Sequence, residues 1–249
     1  MASQIRAFML SVGFLTIVPV PLVAAPTAAT YPRATRYFPL VGALIGLAVG
    51  AFDALLGGVL PSTVVAVLDL VALAVLSGGL HLDGLGDTAD GLFAGGGRDH
   101  RLAAMRDSRS GAFGVATVAL VLLLEAAALS SISTSARPAT LVAAGALSRW
   151  SMCVALWSSP SARADGLGAS FKSGLRAIDA LIATALTSAI AALVLGLAAI
   201  AAIALVGVLT AIVVALARSR IGGVTGDVCG GIGELAFAGQ LVLASALTR

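Results

Sequence analysis

Charge is scarce in this chain of 249 residues: Asp, Glu, Lys and Arg together make up 11% of it. A typical soluble domain carries roughly 25% charged residues, and about half of its residues are apolar. Here 59% of the residues are hydrophobic, and the mean hydropathy is +1.06. A water-soluble globule of this size could not hide so much apolar surface, because its surface is already largely apolar. The composition therefore predicts an integral membrane protein in a lipid bilayer and excludes a soluble enzyme.

Cysteine, lysine and net charge are low as well. The two cysteines, Cys153 and Cys229, lie in apolar stretches, which excludes a disulfide scaffold and predicts two small core residues. Lys172 is the only lysine among 15 basic residues, and the formal net charge is +3. So small an excess of positive charge does not indicate a nucleic-acid partner. The arginines instead fall in a few short loops, as membrane topology would place them.

Long apolar runs are the main feature that is present. A membrane-spanning helix needs about 20 mostly apolar residues. Six windows meet this requirement and a weaker, Gly-rich window follows them: 38–60, 62–80, 111–134, 138–158, 177–197, 198–217 and 228–247. Very short connections join the first six windows in pairs and predict antiparallel hairpins. The sequence thus predicts an all-α fold, a single polytopic helix bundle over residues 1–249 with six to seven transmembrane helices.

The orientation in the membrane follows from the basic residues. If the segment before residue 38 is cytoplasmic, 12 of the 15 basic residues lie inside, as the positive-inside rule requires. They are Arg6, Arg33, Arg36, Arg98, Arg101, Arg106, Arg109, Arg163, Lys172, Arg176, Arg218 and Arg220. The apolar segment 7–24 is interrupted by Pro19 and Pro21, which favours an interfacial or re-entrant element over a signal peptide.

Three aspartates form the most informative charged group, in the segment 80–110 that follows the second window. If 80–94 continues the helix of that window, Asp83, Asp87 and Asp90 are at i, i+4 and i+7 and cover an arc of roughly 60°. Like charges at this spacing destabilise a helix by about 0.2–0.5 kcal/mol per pair. No Lys or Arg lies between residues 81 and 97 to offset them. A solvated helix end is the plain alternative, but a divalent cation removes the conflict, since carboxylates suit Mg²⁺, Mn²⁺ or Ca²⁺.

Glycines and arginines surround these aspartates. Each glycine inside the helix lowers the helix stability by roughly 0.5–1 kcal/mol relative to Ala. Because glycine has no side chain, a second helix or a phosphate group could approach the backbone at these positions. The run 95–97 is all glycine and should end the helix. Four arginines follow, and Asp107 lies among them. The guanidinium group of arginine binds phosphate through two hydrogen bonds, so Arg106 and Arg109 are predicted to contact the substrate. The alternative is that these arginines only mark the cytoplasmic side of the membrane.

A second acidic group follows the sixth window, in GGVTGDVCGGIGEL. Asp227 and Glu234 are seven residues apart and so two helical turns apart on one face. Buried charge in an apolar segment needs a partner. The pair could supply further ligands or a general base to the first group. Alternatively, the two acids are structural and face Arg218 and Arg220.

Four further polar residues are predicted to contact substrate. Arg149, within the fourth window, is expected to pair with an acid or a phosphate. Arg163 and Lys172 lie in the loop ARADGLGASFK, which could close over a ligand. His81 could be a ligand or a base, although a lone histidine beside acids is as often a satisfied hydrogen-bond donor. Glu125, inside the third window, has no assignment from the sequence.

Four blocks of sequence, in this order, resemble the cobalamin synthase family, the adenosylcobinamide-GDP ribazoletransferases. They are HLDGLGDTADGLFAGG, MRDSRSGAFG, ARADGLGASFK and GGVTGDVCGGIGEL. The resemblance implies transfer of α-ribazole, or its 5′-phosphate, to adenosylcobinamide-GDP with release of GMP. It also implies Mg²⁺ as cofactor and a location in the bacterial inner membrane, with the active site facing the cytoplasm. Whether the chain is a monomer or a homo-oligomer stays open.

The same stretch is similar to the motif of CDP-alcohol phosphatidyltransferases. Asp87 and Asp90-Gly91, followed by Ala94, match its opening, but Gly95 stands in place of an expected arginine, and the second half of the motif is not in register. A CDP-alcohol phosphatidyltransferase-like fold is therefore expected, whereas phospholipid synthesis is the weaker alternative. A transporter is weaker still, because its polar residues should lie at the membrane midplane.

Together these interpretations define a site hypothesis with three parts. The predicted metal ligands are Asp83, Asp87, Asp90 and Asp107. The predicted proton acceptor is Asp107 or Asp227. The predicted substrate contacts are His81, Arg106, Arg109, Arg149, Arg163, Lys172 and Glu234.

Overall fold

The fold was analysed in a computed structural model, which describes residues 2–21 and 25–248. These residues form twelve α-helices and one short 3-10 helix over Thr35–Tyr37. The α-helices are α1 (Ala2–Leu15), α2 (Thr30–Ala34), α3 (Phe38–Leu56), α4 (Ser62–Leu76), α5 (Leu80–Phe93), α6 (Arg98–Ala104), α7 (Ala112–Ser131), α8 (Arg137–Ser158), α9 (Leu167–Lys172), α10 (Ala177–Leu195), α11 (Ala198–Ile221) and α12 (Gly226–Leu247). The described part of the chain contains no β-strand, which confirms the all-α prediction.

Six helical stretches are long and apolar enough to cross a membrane. They are Thr30–Leu56, Ala112–Ser131, Arg137–Ser158, Ala177–Leu195, Ala198–Ile221 and Gly226–Leu247. The helices α4 and α5 pass the same test only as a bent pair, which would make seven. The chain is thus a multi-pass helical membrane protein, and the predicted number of six to seven spans is confirmed.

The most enclosed span is α8, which packs against α3, α10, α11 and α12. Its contact with α3 is close because glycines face each other: a Cβ at Gly42 would collide with the carbonyl oxygen of Gly145, and one at Gly46 with that of Leu141. In lipid, where apolar burial alone does not drive helices together, such close backbone contact supplies much of the association energy. Cys153 and Cys229 are both buried and unpaired, as predicted.

The second predicted span is wrong in one respect. The window 62–80 and its continuation to 94 are not one helix, because α4 ends at Leu76 and α5 runs at 90° to it. Gly78 and Gly79 form the corner, with φ of 63° and 69°. Glycine adopts this left-handed backbone at no steric cost. The aspartates therefore lie on a separate helix, whose direction the α4 axis does not set.

The N-terminal segment forms the helix α1, followed by irregular chain up to Pro21. The side chain of Phe14 packs on Phe171 of α9, with ring centroids 4.6 Å apart, and so ties α1 to the rest of the bundle. Residues 22–24, the end of the segment 7–24, lie outside the described residues. The interfacial or re-entrant placement of the segment stays a prediction.

Candidate active site

Glycines bring α5 and α12 into direct backbone contact. A Cβ at Gly84 would lie 2.8 Å from the carbonyl oxygen of Asp227, and one at Gly230 would lie 3.4 Å from the Cα atom of His81. The expectation that the glycines of α5 let a second helix approach is therefore confirmed. Because of this contact, the first turn of α12 lies beside the acidic face of α5.

Two of the three aspartates on α5 have no hydrogen-bond partner in the part of the chain that the structure describes. Asp83 is exposed and Asp87 is half-buried. Within residues 2–21 and 25–248, no backbone or side-chain group donates a hydrogen bond to either carboxylate. The charges that act on Asp87 are those of Asp83, Asp227, Asp90 and Arg163. The two acidic groups of the sequence thus meet at Asp227, as one of the two interpretations predicted.

Asp90, the third aspartate, accepts hydrogen bonds from the backbone at the start of α7. Its two carboxylate oxygens accept hydrogen bonds from the backbone N–H groups of Gly111, at 2.7 Å, and Gly114, at 2.8 Å. These N–H groups lie at the start of α7 and have no partner within the helix. A carboxylate also interacts favourably with the positive end of the helix dipole. Asp90 therefore fixes the start of α7 beside the end of α5.

Asp107 forms an ion pair with Arg109 in the connection between α6 and α7. Arg109 Nη2 lies 2.9 Å from Asp107 Oδ2, and the Arg109 side-chain and backbone donors both bond to Oδ1. These hydrogen bonds lower the pKa of Asp107 to about 2. A carboxylate with so low a pKa is a weak proton acceptor. Asp107 was predicted as a metal ligand or proton acceptor, and Arg109 as a substrate contact. In the structure the two side chains bind each other instead, so either role would require this ion pair to open.

Asp227 lies in the first turn of α12 and pairs with Arg163. Its Oδ2 atom accepts hydrogen bonds from Arg163 Nη1 at 3.0 Å and from Thr225 Oγ1 at 3.2 Å. The alternative in which Asp227 faces Arg218 and Arg220 is wrong, since Arg220 donates instead to the carbonyl oxygen of Leu92. Arg163 comes from the loop between α8 and α9, 64 residues away in sequence. Sequence spacing gave no indication of this pairing.

The loop that carries Arg163 is tied to the turn before α12 by backbone hydrogen bonds. Ala162 N–H donates to the carbonyl oxygen of Val224 at 2.8 Å, and Val224 N–H donates to that of Pro160 at 2.9 Å. Ser161 and Val224 form an isolated parallel bridge at this point. The loop therefore has a fixed position over the ends of α5 and α12.

These elements enclose a cavity of about 220 Å³, here called the first cavity. Charged and polar side chains from α5, the α8–α9 loop and α12 line it together with glycine backbone. The ones that bear on chemistry are His81, Asp83, Arg163, Asp165, Thr225 and Asp227. Asp165 did not stand out in the sequence. It lies one position before a glycine in the loop ARADGLGASFK, and its carboxylate accepts hydrogen bonds from Arg106 Nη2 at 2.7 and 2.8 Å.

A divalent metal ion fits the chemistry of this site. No group of three or more His, Cys, Asp or Glu side chains in the described residues is arranged to hold a metal ion. Magnesium does not need such a cage, because it usually binds one or two carboxylates together with water and substrate phosphates. Among the described residues, Asp83 and Asp87 have no hydrogen-bond partner and offer these oxygens, whereas Asp90 and Asp107 are bound elsewhere. The full four-residue ligand set stays a prediction.

Arg149 and Glu234 lie in a different place from the first cavity. Together with Glu125 of α7 they line a small cavity of about 20 Å³ among α4, α5, α7, α8 and α12. Arg149 Nη2 lies 3.4 Å from Nδ1 of His81, and both side chains are almost completely buried. Although Asp227 and Glu234 share a helix, seven residues of helix separate them by about 10 Å along its axis. The two acids of α12 therefore belong to different sites.

Lys172 is a helix cap in this structure. Its Nζ atom donates to the carbonyl oxygens of Leu156, at 2.7 Å, and Trp157, at 3.2 Å, at the end of α8. A cation at this position satisfies carbonyl groups that have no partner within the helix and interacts favourably with the helix dipole. Burial lowers the pKa of Lys172. Its predicted contact with substrate stays a prediction.

Comparison with known proteins gives a consistent result. The family model described as Cobalamin-5-phosphate synthase matches residues 7–245. Relatives named adenosylcobinamide-GDP ribazoletransferase include one from Geotalea daltonii, 37% identical over 93% of this chain and 94% of the relative. Another, from Pseudomonas aeruginosa, is 37% identical over 97% of this chain and 98% of the relative. A third, from a Roseiflexus species, is 38% identical over 90% and 83%.

No solved structure matches the chain, so the likeness to the CDP-alcohol phosphatidyltransferase fold stays a prediction. The family model extends over nearly the whole bundle, including α5, α12 and the loop between α8 and α9. The chain belongs to the cobalamin-5-phosphate synthase family.

Proposed function

We propose that this protein is an adenosylcobinamide-GDP ribazoletransferase that joins α-ribazole, or its 5′-phosphate, to adenosylcobinamide-GDP. In this reaction a ribazole hydroxyl oxygen attacks the phosphorus next to the cobinamide and forms a new P–O bond. The P–O bond to GMP breaks, and GMP leaves with the bonding electrons. The hydroxyl proton passes to a base. The family match and the names of relatives from three bacteria support this activity.

The observation that carries the proposal is the pair of free carboxylates, Asp83 and Asp87, next to the ion pair of Asp227 and Arg163. Unpaired carboxylates at a membrane border are costly unless they bind something. Asp83 and Asp87 would hold Mg²⁺, which neutralises negative charge on the diphosphate when it is bound. Arg163, at the wall of the first cavity, would bind a phosphate oxygen by charge-assisted hydrogen bonds.

Asp227 is the better candidate for the base. It lines the first cavity, whereas Asp107 is held by Arg109 in a separate connection. When Arg163 turns toward a phosphate, Asp227 is left with only the Thr225 hydroxyl and can accept the proton of the attacking hydroxyl. Most of the rate acceleration in such a transfer comes from positioning and charge stabilisation. The tie between the α8–α9 loop and the α12 turn supplies the fixed positions that this requires.

The direct test is an assay with purified protein in lipid nanodiscs. Adenosylcobinamide-GDP, α-ribazole and Mg²⁺ are added, and the corrinoid product and GMP are followed by chromatography. Equal amounts of GMP and ribazole-containing corrinoid are expected. Release of CMP from a CDP-alcohol, with no corrinoid product, would instead indicate the phospholipid activity and reject the proposal.

We also propose that the protein lies in the bacterial inner membrane with the first cavity on the cytoplasmic side. The support is the distribution of basic residues, 12 of 15 on one side of the predicted topology. Single cysteines introduced at Ser108 and at Ser133, in a cysteine-free background, test the orientation. In intact cells, a membrane-impermeant thiol reagent should label the cysteine at 133 and not the one at 108; the reverse would overturn the orientation.

A further inference from the structure

A second cavity of about 450 Å³ adjoins the first and shares two of its wall residues, Arg163 and Asp165. We propose that this second cavity binds the guanosine end of the substrate and that Asp165 recognises the guanine base. This inference rests on the proposed function, because it assumes a substrate that carries GDP. It assigns the nucleotide half of that substrate to specific residues.

The position of the second cavity fits a substrate that spans both. Transfer at the phosphorus next to the cobinamide leaves the guanosine on the far side of the diphosphate. Arg163 lies between the two cavities: its Nη1 atom bonds to Asp227, and its Nη2 atom bonds to the carbonyl oxygen of Leu102 on α6, at 3.1 Å. Its Nε atom is buried and has no hydrogen-bond partner among the described residues. A diphosphate that crosses at Arg163 would place the nucleoside beside α6.

The walls of the second cavity are strongly basic. Besides Arg163, the side chains of Arg98 and Arg106 line it. Arg98 is fixed by hydrogen bonds to the carbonyl oxygens of Ile221, at 3.0 Å, and Ala162, at 2.6 Å. Three guanidinium groups around one space favour a ligand with negative charge, as the phosphate of GMP carries.

Asp165 gives this basic space an acceptor for the base. Guanine presents two adjacent N–H donors, N1–H and N2–H₂, on its pairing edge, and a carboxylate can accept both. Adenine and cytosine present a ring nitrogen acceptor at the corresponding place, which a carboxylate repels. A single nitrogen of Arg106 holds the Asp165 carboxylate, so lone pairs remain free on both oxygens.

A structural role does not explain the pair of Arg106 and Asp165. The side chains are 56% and 71% exposed. An ion pair so open to solvent contributes little to stability. Loss of Asp165 should therefore leave the protein folded, which makes a substitution there informative.

The test compares nucleotides that differ in one group. Inhibition of ribazole transfer by GMP, IMP and AMP is measured with the full-length protein in nanodiscs. IMP lacks the 2-amino group of GMP, and AMP has an acceptor at N1. The wild-type protein should bind GMP about tenfold to a hundredfold more tightly than IMP or AMP, as for other hydrogen bonds to charged groups. Asp165→Asn should reduce this preference to within about threefold, because GMP binding weakens while AMP, no longer repelled at N1, binds at least as tightly as before.

Asp99→Asn is the matched control. Asp99 is an aspartate at the mouth of the second cavity; it pairs with Arg98 at 3.1 Å, and its side chain is 94% exposed. This variant removes the same charge and should keep the preference for GMP. The proposal is overturned if Asp165→Asn keeps the wild-type preference, if Asp99→Asn loses it equally, or if the wild-type protein does not prefer GMP. Absence of ribazole transfer by the wild-type protein would instead reject the proposed function.

Discussion

Two acidic regions at opposite ends of the bundle satisfy their charges in opposite ways. At the α5–α12 end, Asp83 and Asp87 are exposed or half-buried and have no partner in the described part of the chain. At the opposite end, Asp53 is buried and pairs with Arg137, whose Nη1 atom lies 3.3 Å from Asp53 Oδ1. Asp69 of α4 is buried beside this pair.

The difference lies in how completely the charge of Asp53, on one side, and those of Asp83 and Asp87, on the other, are satisfied by protein groups. Arg137 also donates to Ser62 and to the carbonyl oxygens of Ser130 and Ile132, so it joins three helix ends. A buried ion pair with this many hydrogen bonds holds its surroundings in one arrangement. Asp83 and Asp87 on α5 lack such bonds within the described residues, and Asp83 lines the first cavity. The region of Asp53 and Arg137 is thus built for structure, and the region of Asp83 and Asp87 is free to bind a ligand.

The largest effect is expected for Asp87→Asn. If Asp83 and Asp87 form the metal and phosphate site, this variant should lower kcat by about a hundredfold to a thousandfold, as losses of charge-stabilising groups do. Its thermal unfolding in detergent should match that of the wild-type protein, because no hydrogen bond is lost. Asp99→Asn, an exposed aspartate on the neighbouring helix, serves as control. Activity of Asp87→Asn within about tenfold of wild type would reject the assignment.

The next largest effect is on stability, at the opposite end of the bundle. Arg137→Met leaves Asp53 buried without its partner, which should cost about 3–5 kcal/mol of folding free energy. A denaturant titration in detergent micelles measures this loss. Asp53→Asn combined with Arg137→Met should recover part of it, since the uncompensated charge is then gone. If the folded fraction of Arg137→Met has strongly reduced activity per molecule, the division between the two regions does not hold.

An intermediate effect is expected for Asp90→Ala. This variant tests whether the third aspartate of α5 has a structural role or belongs with the ligand-binding aspartates Asp83 and Asp87. The variant removes the acceptor for two backbone N–H groups at the start of α7 and should cost about 1 kcal/mol of stability. A lower unfolding temperature with a partial loss of activity is expected. A loss of activity as large as that of Asp87→Asn, at unchanged stability, would instead support the predicted role of Asp90 as a metal ligand.

The smallest effect is expected for Asp107→Asn, whose ion pair with Arg109 is exposed. Because the folded-state pKa of Asp107 is lowered from 3.8 to about 2, the pair stabilises the protein above pH 3.8 and loses its effect as the pH falls through 2. Because the pair is exposed, the variant should be only slightly less stable than the wild-type protein between pH 5 and 8, with the same pH profile of activity and kcat within about threefold. Abolished turnover would restore Asp107 as a ligand or base.

Local sequence patterns predicted a large part of this molecule. Windows of about 20 apolar residues gave the spans, and the i, i+4, i+7 spacing placed Asp83, Asp87 and Asp90 on one helix. The glycines of α5 indicated a close approach of another helix, which proved to be α12. These features depend on neighbours within one or two helical turns, so the sequence carries them directly.

The features that could not be predicted depend on contacts between distant segments. The corner at Gly78 and Gly79 lies within a continuous hydropathy signal, which does not distinguish a straight span from a bent pair. The pairing of Arg163 with Asp227 joins residues 64 positions apart. The place of Glu125 beside Arg149 and Glu234 requires three helices to pack together.

The backbone tie between the α8–α9 loop and the turn before α12 has a consequence for how this family can diversify. The bonds of Ala162 and Val224 involve only main-chain atoms, so the loop keeps its place whatever side chains it carries. Asp165 can therefore be exchanged without moving the scaffold beneath it, while Arg163 keeps its ion pair with Asp227. Under the proposed function, such an arrangement would allow selection to change which nucleotide is accepted while the residues proposed for the transfer stay in place.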